Sequence, residues 1–324
     1  MRYCCSFVLL LSLLVHEAQG QIKVDPALPD YVKSNDGVSG TIKSVGSDTM
    51  VNLMTLWAEG FRKNYPNVRI EVEGKGSSTA VPALIQGTAQ FGPMSRPMKD
   101  KEIDEFKKKV GYAPTAVPSS IDLLAVYVHK DCPLNSLSLE QIDAIFSRNR
   151  KRGAPKDIVT WGDVGLTGEW ANKPISIYGR NAASGTYGFF KEHALANGDF
   201  KDTVKEQPGS SAVVQAIATD KYAIGYSGIG YKTADVRAIA ISPRSGTKPI
   251  EALPEFALDG TYPLARVLYV YINKNPNSPL DTLRREFVKY MLSKQGQEVV
   301  IKDGYIPVPQ QLADTGLEAA GLKK

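Results

Sequence analysis

The chain changes its hydrophobic rhythm again and again. Residues 41–45 (TIKSV) alternate apolar and polar positions as a strand does. Leu53, Met54, Trp57 and Phe61 then recur at helical spacing until Pro66 stops the helix. Residues 68–72 (VRIEV) predict a second strand, and Val81, Leu84 and Ile85 a short helix ended by Gly87. A short strand at 89–92 and a helix over 99–110 with a charged solvent face follow. Residues 113–117 and 123–128 (LLAVYV) read as two strands on either side of a crossing near Pro118. Beyond it, 138–146 predicts a helix, with Ser138 and Gln141 at capping-box spacing. Ile175 and Ile177 open a buried strand that breaks at Gly179, and a helix runs on through Phe189 and Phe190. A helix over 210–219, a Gly-dense strand and turn over 222–231 and a long buried strand over 262–273 come next. The pattern ends with one amphipathic helix over 281–301, and Gly304 to Pro307 closes the fold.

Strands and helices that alternate throughout predict an α/β fold. A chain that begins in one domain, builds another and returns predicts two lobes, each a central mixed β-sheet flanked by helices, joined by a hinge. The boundaries read as 21–118 plus 263–324 for the first lobe and 119–262 for the second. Such an arrangement closes around a ligand in its cleft.

The candidate chemistry lies where strands give way to helices. Gly46-Ser47-Asp48-Thr49 and Gly74-Lys75-Gly76-Ser77-Ser78-Thr79 are two such turns. A third carries Arg180 and then Ser184-Gly185-Thr186, and Gly209-Ser210-Ser211 opens another helix. A strand that stops at Gly and small hydroxyl residues leaves backbone N–H groups unpaired at the positive end of the helix. A small oxyanion is a natural ligand there, and Arg180 offers a planar fork of donors that matches two of its oxygens. A plain N-cap accounts for Ser47 or Asp48, and leaves the other hydroxyls free. The second turn is no nucleotide P-loop, because Arg69 stands where that motif opens with Gly.

Composition narrows the class. At 324 residues, 43% hydrophobic and 23% charged, the chain suits a globular protein of two domains. Arg2, the apolar run 7–15 and Ala18-Gln19-Gly20 read as a secretory signal peptide over residues 1–20, so the protein is expected to be exported. Cys4 and Cys5 fall inside that leader, which leaves Cys132 without a disulfide partner. His129 and His193 form no cluster, so a zinc site is not expected. The net charge of +5 is modest and scattered, and no nucleic-acid partner is expected from it.

Taken in order, these turns resemble those of the phosphate-binding proteins of phosphate ABC transporters, periplasmic substrate-binding proteins of the type II fold. Arg180 with Ser184-Gly185-Thr186 matches the family's R-x-x-x-S-G-T, and the likeness covers essentially the whole chain after the leader. Gly46 to Thr49 is similar to the family's first anion turn, Gly76-Ser77-Ser78 to the second, and Phe91 to Pro97 (FGPMSRP) to the turn after the third strand. One departure concerns selectivity. Some members carry a carboxylate in that last turn, which accepts the proton of hydrogen phosphate and so rejects sulfate. Here Ser95 holds the position, with Arg96 beside it. Asp48 is then either the substitute acceptor or a helix cap.

The resemblance implies a phosphate site built from Ser47, Asp48, Thr49, Ser77, Ser78, Ser95, Arg96, Arg180, Ser184, Gly185 and Thr186. Arg96 is expected to join Arg180 or to line the rim. It further implies inorganic phosphate as ligand, a membrane permease as partner, a monomer, and neither a cofactor nor catalytic residues. Two other readings stay within the binding class: a receptor for sulfate, molybdate or another tetrahedral oxyanion, and a secreted surface factor that uses the basic region 147–172. A hydrolase is disfavoured, since Gly225-Tyr226-Ser227-Gly228-Ile229 has Ile where a nucleophile elbow needs Gly.

Overall fold

A computed structural model describes residues 22–323, so the leader read over 1–20 lies outside the described part. The first third alternates as its rhythm predicts: β1 (Gly40–Gly46), α1 (Val51–Asn64), β2 (Val68–Gly74), α2 (Ala80–Ile85), β3 (Phe91–Met94) and α3 (Asp100–Val110). The helical stripe of α1 is its core face, with Leu53, Met54, Trp57 and Phe61 all fully buried. There the Trp57 indole N–H donates to the Gly296 carbonyl at 2.8 Å.

The long strand β4 (Thr115–His129) comes next, followed by β5 (Ser136–Ser138), α4 (Leu139–Phe146), β6 (Ser176–Arg180) and α5 (Gly185–His193). Then come β7 (Lys205–Gln207), α6 (Ser210–Thr219), β8 (Ala223–Gly228), β9 (Val236–Ala238), β10 (Ala240–Ser242) and α7 (Pro254–Leu258). The returning strand β11 (Ala265–Ile272) leads to α8 (Thr282–Met291), α9 (Lys294–Lys302) and α10 (Gln310–Ala319).

Hydrogen-bonded strands follow the order β2-β1-β3-β11-β4-β8-β6-β7, with β9 also on β4 and a small β10-β5 pair apart. β4 serves both lobes. Residues 115–123 pair antiparallel with β11, and residues 124–128 pair antiparallel with β8. One curled mixed sheet, flanked by helices, therefore runs through both lobes.

Three details differ from the sequence reading. The two strands expected around Pro118 are the single strand β4. Proline has no N–H to give a ladder, and a register shift absorbs it: Tyr269 faces Pro118 and Leu268 faces Ser120. Ser119, left over, donates its hydroxyl to the Leu268 carbonyl at 2.9 Å. The helix read over 281–301 is two, α8 and α9, because the Ser293 hydroxyl accepts from the Gly296 N–H and starts a new helix. The chain also continues past Pro307 into α10, whose Ala313 and Gly316 pack in the core. The capping box of α4 forms as read. Gln141 N donates to Ser138 Oγ at 3.3 Å, and Ser138 N donates to Gln141 Oε1 at 2.9 Å.

Candidate functional site

Each lobe contributes polar turns to one small volume. In the first lobe β1 stops at Gly46, where Ser47 N donates to the Pro93 carbonyl at 2.7 Å, and a single helical turn over Asp48–Met50 leads into α1. The next turn, Ser77–Thr79, leads into α2 in the same way. Neither Ser47 nor Asp48 caps its own helix. Ser77 Oγ instead accepts from Ser95 N at 3.0 Å, which ties the second turn to the one after β3. In the second lobe β6 ends on Arg180, and Ser184 caps α5 by accepting from Tyr187 N at 3.3 Å. That cap occupies a lone pair of the Ser184 oxygen and leaves its proton available.

The two walls touch. Thr49 Oγ1 and Thr186 Oγ1 are 2.9 Å apart, Ser95 Oγ is 3.4 Å from Thr186 Oγ1, and Thr49 Oγ1 is 3.4 Å from Ser210 Oγ. Ser47, Thr49, Ser77, Ser95, Arg180, Ser184, Thr186 and Ser210 are all buried. Gly185 makes the approach possible. A Cβ there would lie 2.2 Å from Ser77 Oγ and 2.7 Å from Ser95 Oγ, too close for any side chain.

Charge at this place is arranged asymmetrically. Arg180 Nη1 donates to Ser210 Oγ at 2.8 Å and stands 3.3 Å from Asp48 Oδ2, while Nη2 donates to the Pro208 carbonyl at 3.3 Å. Its Nε is buried with no partner among the described residues. Burial pulls the Arg180 pKa below its ordinary value, and the Asp48 carboxylate works against that. Asp48 itself crosses the cleft: its Oδ2 accepts from Ser210 N at 2.7 Å and so caps α6 of the other lobe.

The residues singled out from the sequence separate into two groups. Ser47, Thr49, Ser77, Ser95, Arg180, Ser184, Gly185 and Thr186 lie at the junction of the lobes, with Asp48 at its partly open edge. Ser78 and Arg96 have other partners. Ser78 closes the outer lip, where its hydroxyl and its N–H both donate to the Ala183 carbonyl, at 3.0 and 3.2 Å. Arg96 lies beside α5 of the second lobe, its Cδ and Nε 3.4 Å from where a Gly188 Cβ would stand, and its guanidinium is held by both oxygens of Glu102 at 2.8 Å. Glu102 also accepts from Lys99 N at the start of α3. A carboxylate of its own lobe occupies the guanidinium, so Arg96 makes no contact with Arg180 among the described residues, while its stem stays beside α5.

Two site residues escaped the sequence reading. Ser210 appeared there only as a helix start, and Arg266 not at all. Arg266 lies 5% exposed on β11 and donates Nη2 to Thr186 Oγ1 at 3.1 Å. A lone arginine in the apolar run YPLARVLYVYIN was the available signal, because a charged residue on a buried strand requires a partner.

Two lobes on one curled sheet, with polar turns meeting between them, define the class of a cleft-binding protein. Residues 32–295 match the model of the PBP superfamily domain, and the chain belongs to that family. Within reach of it stands the phosphate-binding protein PstS of Pseudomonas aeruginosa PAO1, 55% identical over 308 residues that cover 95% of each chain. PstS of Staphylococcus haemolyticus is 28% identical over 85% of this chain and 83% of its own. Among solved structures, one from Clostridium perfringens, assigned as a phosphate ABC transporter substrate-binding protein and holding phosphate, superposes with a TM-score of 0.71. It is 25% identical and covers 83% of this chain and 100% of its own. An ABC-type phosphate transport receptor from Vibrio cholerae shares the fold, with a TM-score of 0.64 at 21% identity over 82% of this chain and 100% of its own.

Proposed function

We propose that this chain is an exported solute-binding protein that holds inorganic phosphate between its lobes and hands it to a membrane permease. The observation that carries this reading is the convergence on one place of Thr49, Ser77, Ser95, Thr186 and Ser210, with Arg180 behind them. An anion taken out of water must have nearly every oxygen satisfied. Five hydroxyls, the N–H groups at the start of α5 and a guanidinium whose Nε has no partner among the described residues supply donors on both sides of the cleft. Closure brings the donors together and presents both lobe surfaces to the permease as a unit, the protein acting as a monomer. The leader at 1–20 provides export.

Asp48 is the carboxylate nearest these donors, and on this reading it accepts the proton of hydrogen phosphate that sulfate lacks. A catalytic reading gains no support from Ser227. Its hydroxyl donates to the Ser210 carbonyl at 3.2 Å, and the two histidines lie in other settings: His129 accepts from Asp131 N, and His193 packs on Phe189 at 4.1 Å. The basic region at 147–172 is committed to its own lobe. Lys156 pairs with Asp163 at 2.9 Å, Arg148 with Asp202 at 3.2 Å, and Trp161 packs edge-on against Trp170.

Thermal unfolding in the presence of phosphate, sulfate and molybdate tests the ligand. A ligand at a hundredfold over its Kd adds about 2.7 kcal/mol of stability. Phosphate should give the largest shift. A shift with sulfate and none with phosphate would replace this reading by a receptor for another oxyanion.

A further inference from the structure

Arg266 is held more completely than any other charged group near the cleft. Asp122 is its direct cross-strand partner on β4. Nε and Nη2 donate to Asp122 Oδ2 at 2.9 and 2.7 Å, and the pair is essentially inaccessible to solvent. Nη1 donates to the Ser95 carbonyl at 2.9 Å in the first lobe. Nη2 also donates to Thr186 Oγ1 at 3.1 Å in the second. Asp122 Oδ1 completes the bridge by accepting from Ile229 N at 3.0 Å, just after β8. One ion pair on the shared strands thus reaches a turn of each lobe.

The consequence is a matter of proton direction. A threonine hydroxyl has one proton and two lone pairs. With one lone pair of Thr186 taken by Arg266, its proton is left for Thr49, for Ser95, or for an anion between them. The Arg266 charge is already balanced by Asp122, so its contribution is orientation and not neutralisation. We propose that Arg266, fixed by Asp122, is a positioning residue that orients Thr186 so that its hydroxyl donates to the bound anion. The proposal rests on the reading of the cleft as a phosphate site.

The test is a double-mutant cycle on phosphate affinity, measured by titration calorimetry with inorganic phosphate. Arg266→Lys keeps a cation opposite Asp122 but loses the planar fork that reaches Asp122, Ser95 and Thr186 together. Arg266→Lys and Thr186→Val should each weaken binding about tenfold or more, and the double variant should be no weaker than the worse single one. Losses that multiply, or an Arg266→Lys protein that binds as wild type does, would overturn the positioning role. Should Arg266→Lys not fold, Asp122→Asn replaces it in the cycle: its loss of affinity should vanish in the Thr186→Val background, and a loss that persists there overturns the proposal. A wild-type protein without phosphate affinity would remove the functional reading and this proposal together, whereas normal wild-type binding with multiplying losses removes only the proposal.

Discussion

Two arginine–aspartate pairs flank the junction of the lobes, and they are built differently. Arg266 and Asp122 are 2.7 Å apart, their side chains 1% and 0% exposed, and four further contacts commit both partners. Arg180 and Asp48 are 3.3 Å apart, the Asp48 side chain is 21% exposed, and Arg180 keeps an Nε with no partner among the described residues. A buried guanidinium is costly unless it is paired and hydrogen-bonded, so the first pair is complete and the second is deficient. The deficient pair is the one whose guanidinium donates to Ser210, a hydroxyl of the converging cluster. On the proposed reading, the complete pair holds geometry and the incomplete pair receives the anion.

Removing the deficient arginine is the most direct way to break this contrast. Charge-assisted hydrogen bonds contribute about 1.5–3 kcal/mol each, and each 1.4 kcal/mol is about tenfold in affinity. Arg180→Ala should therefore cost well over tenfold in phosphate affinity, read by calorimetry. Equal affinities in wild type and variant would remove Arg180 from the ligand shell. Arg96→Met is the matching control. It loses the Glu102 pair at the start of α3 and should leave phosphate affinity within about threefold.

Asp48→Asn sharpens the comparison next. Asparagine still offers an oxygen to Ser210 N but cannot take a proton from hydrogen phosphate. Phosphate-over-sulfate discrimination should fall by about tenfold, since unpaired polar contacts are what exclude the wrong ligand. Unchanged discrimination would leave Asp48 as a helix cap and nothing more. Gly76→Ala should have a smaller effect. Gly76 has φ 104°, and a Cβ there would lie 2.5 Å from the Ala183 carbonyl that Ser78 grips across the lip. A loss of several-fold in phosphate affinity is expected, carried by faster dissociation in a stopped-flow measurement. An unchanged dissociation rate would show that the lip does not hold the cleft closed.

What the sequence revealed follows the range of the interactions. R-x-x-x-S-G-T and the Ser138–Gln141 box are local, and both could be read directly because their geometry depends on a few consecutive residues. The break at Ser293 was also local, but its cap lies inside a continuous amphipathic pattern that hides it. The partner of Arg96 could not be read, because the carboxylate that takes it lies six positions on, in the first turn of α3. Arg266 and Asp122 are 144 positions apart, and only the register of β4 against β11 brings them opposite each other. Periodicity gives strands and their faces but not the pairing of distant strands, so the positioning half of the site could not be seen.

A third carboxylate near the hinge extends the contrast to a case with no arginine. Asp303 follows α9, and its backbone carbonyl approaches Gly230, beside the Tyr231 whose hydroxyl donates to the Asp48 and Thr49 carbonyls. Its side chain has no ion-pair partner among the described residues, and burial pushes its pKa up to about 7. The sign follows from linkage. A carboxyl held above its ordinary value of 3.8 binds protons more tightly folded than unfolded, so the stability it contributes is full below that value and is lost as pH rises through about 7. Asp303→Asn removes the titration. Melting temperatures of wild type and variant should run together near pH 3.5 and separate through the interval up to pH 7, with the variant the more stable of the two at pH 8. Parallel melting curves across the range would mean that water or a rearranged hinge solvates Asp303, and that a carboxylate beside this hinge needs no arginine to remain charged.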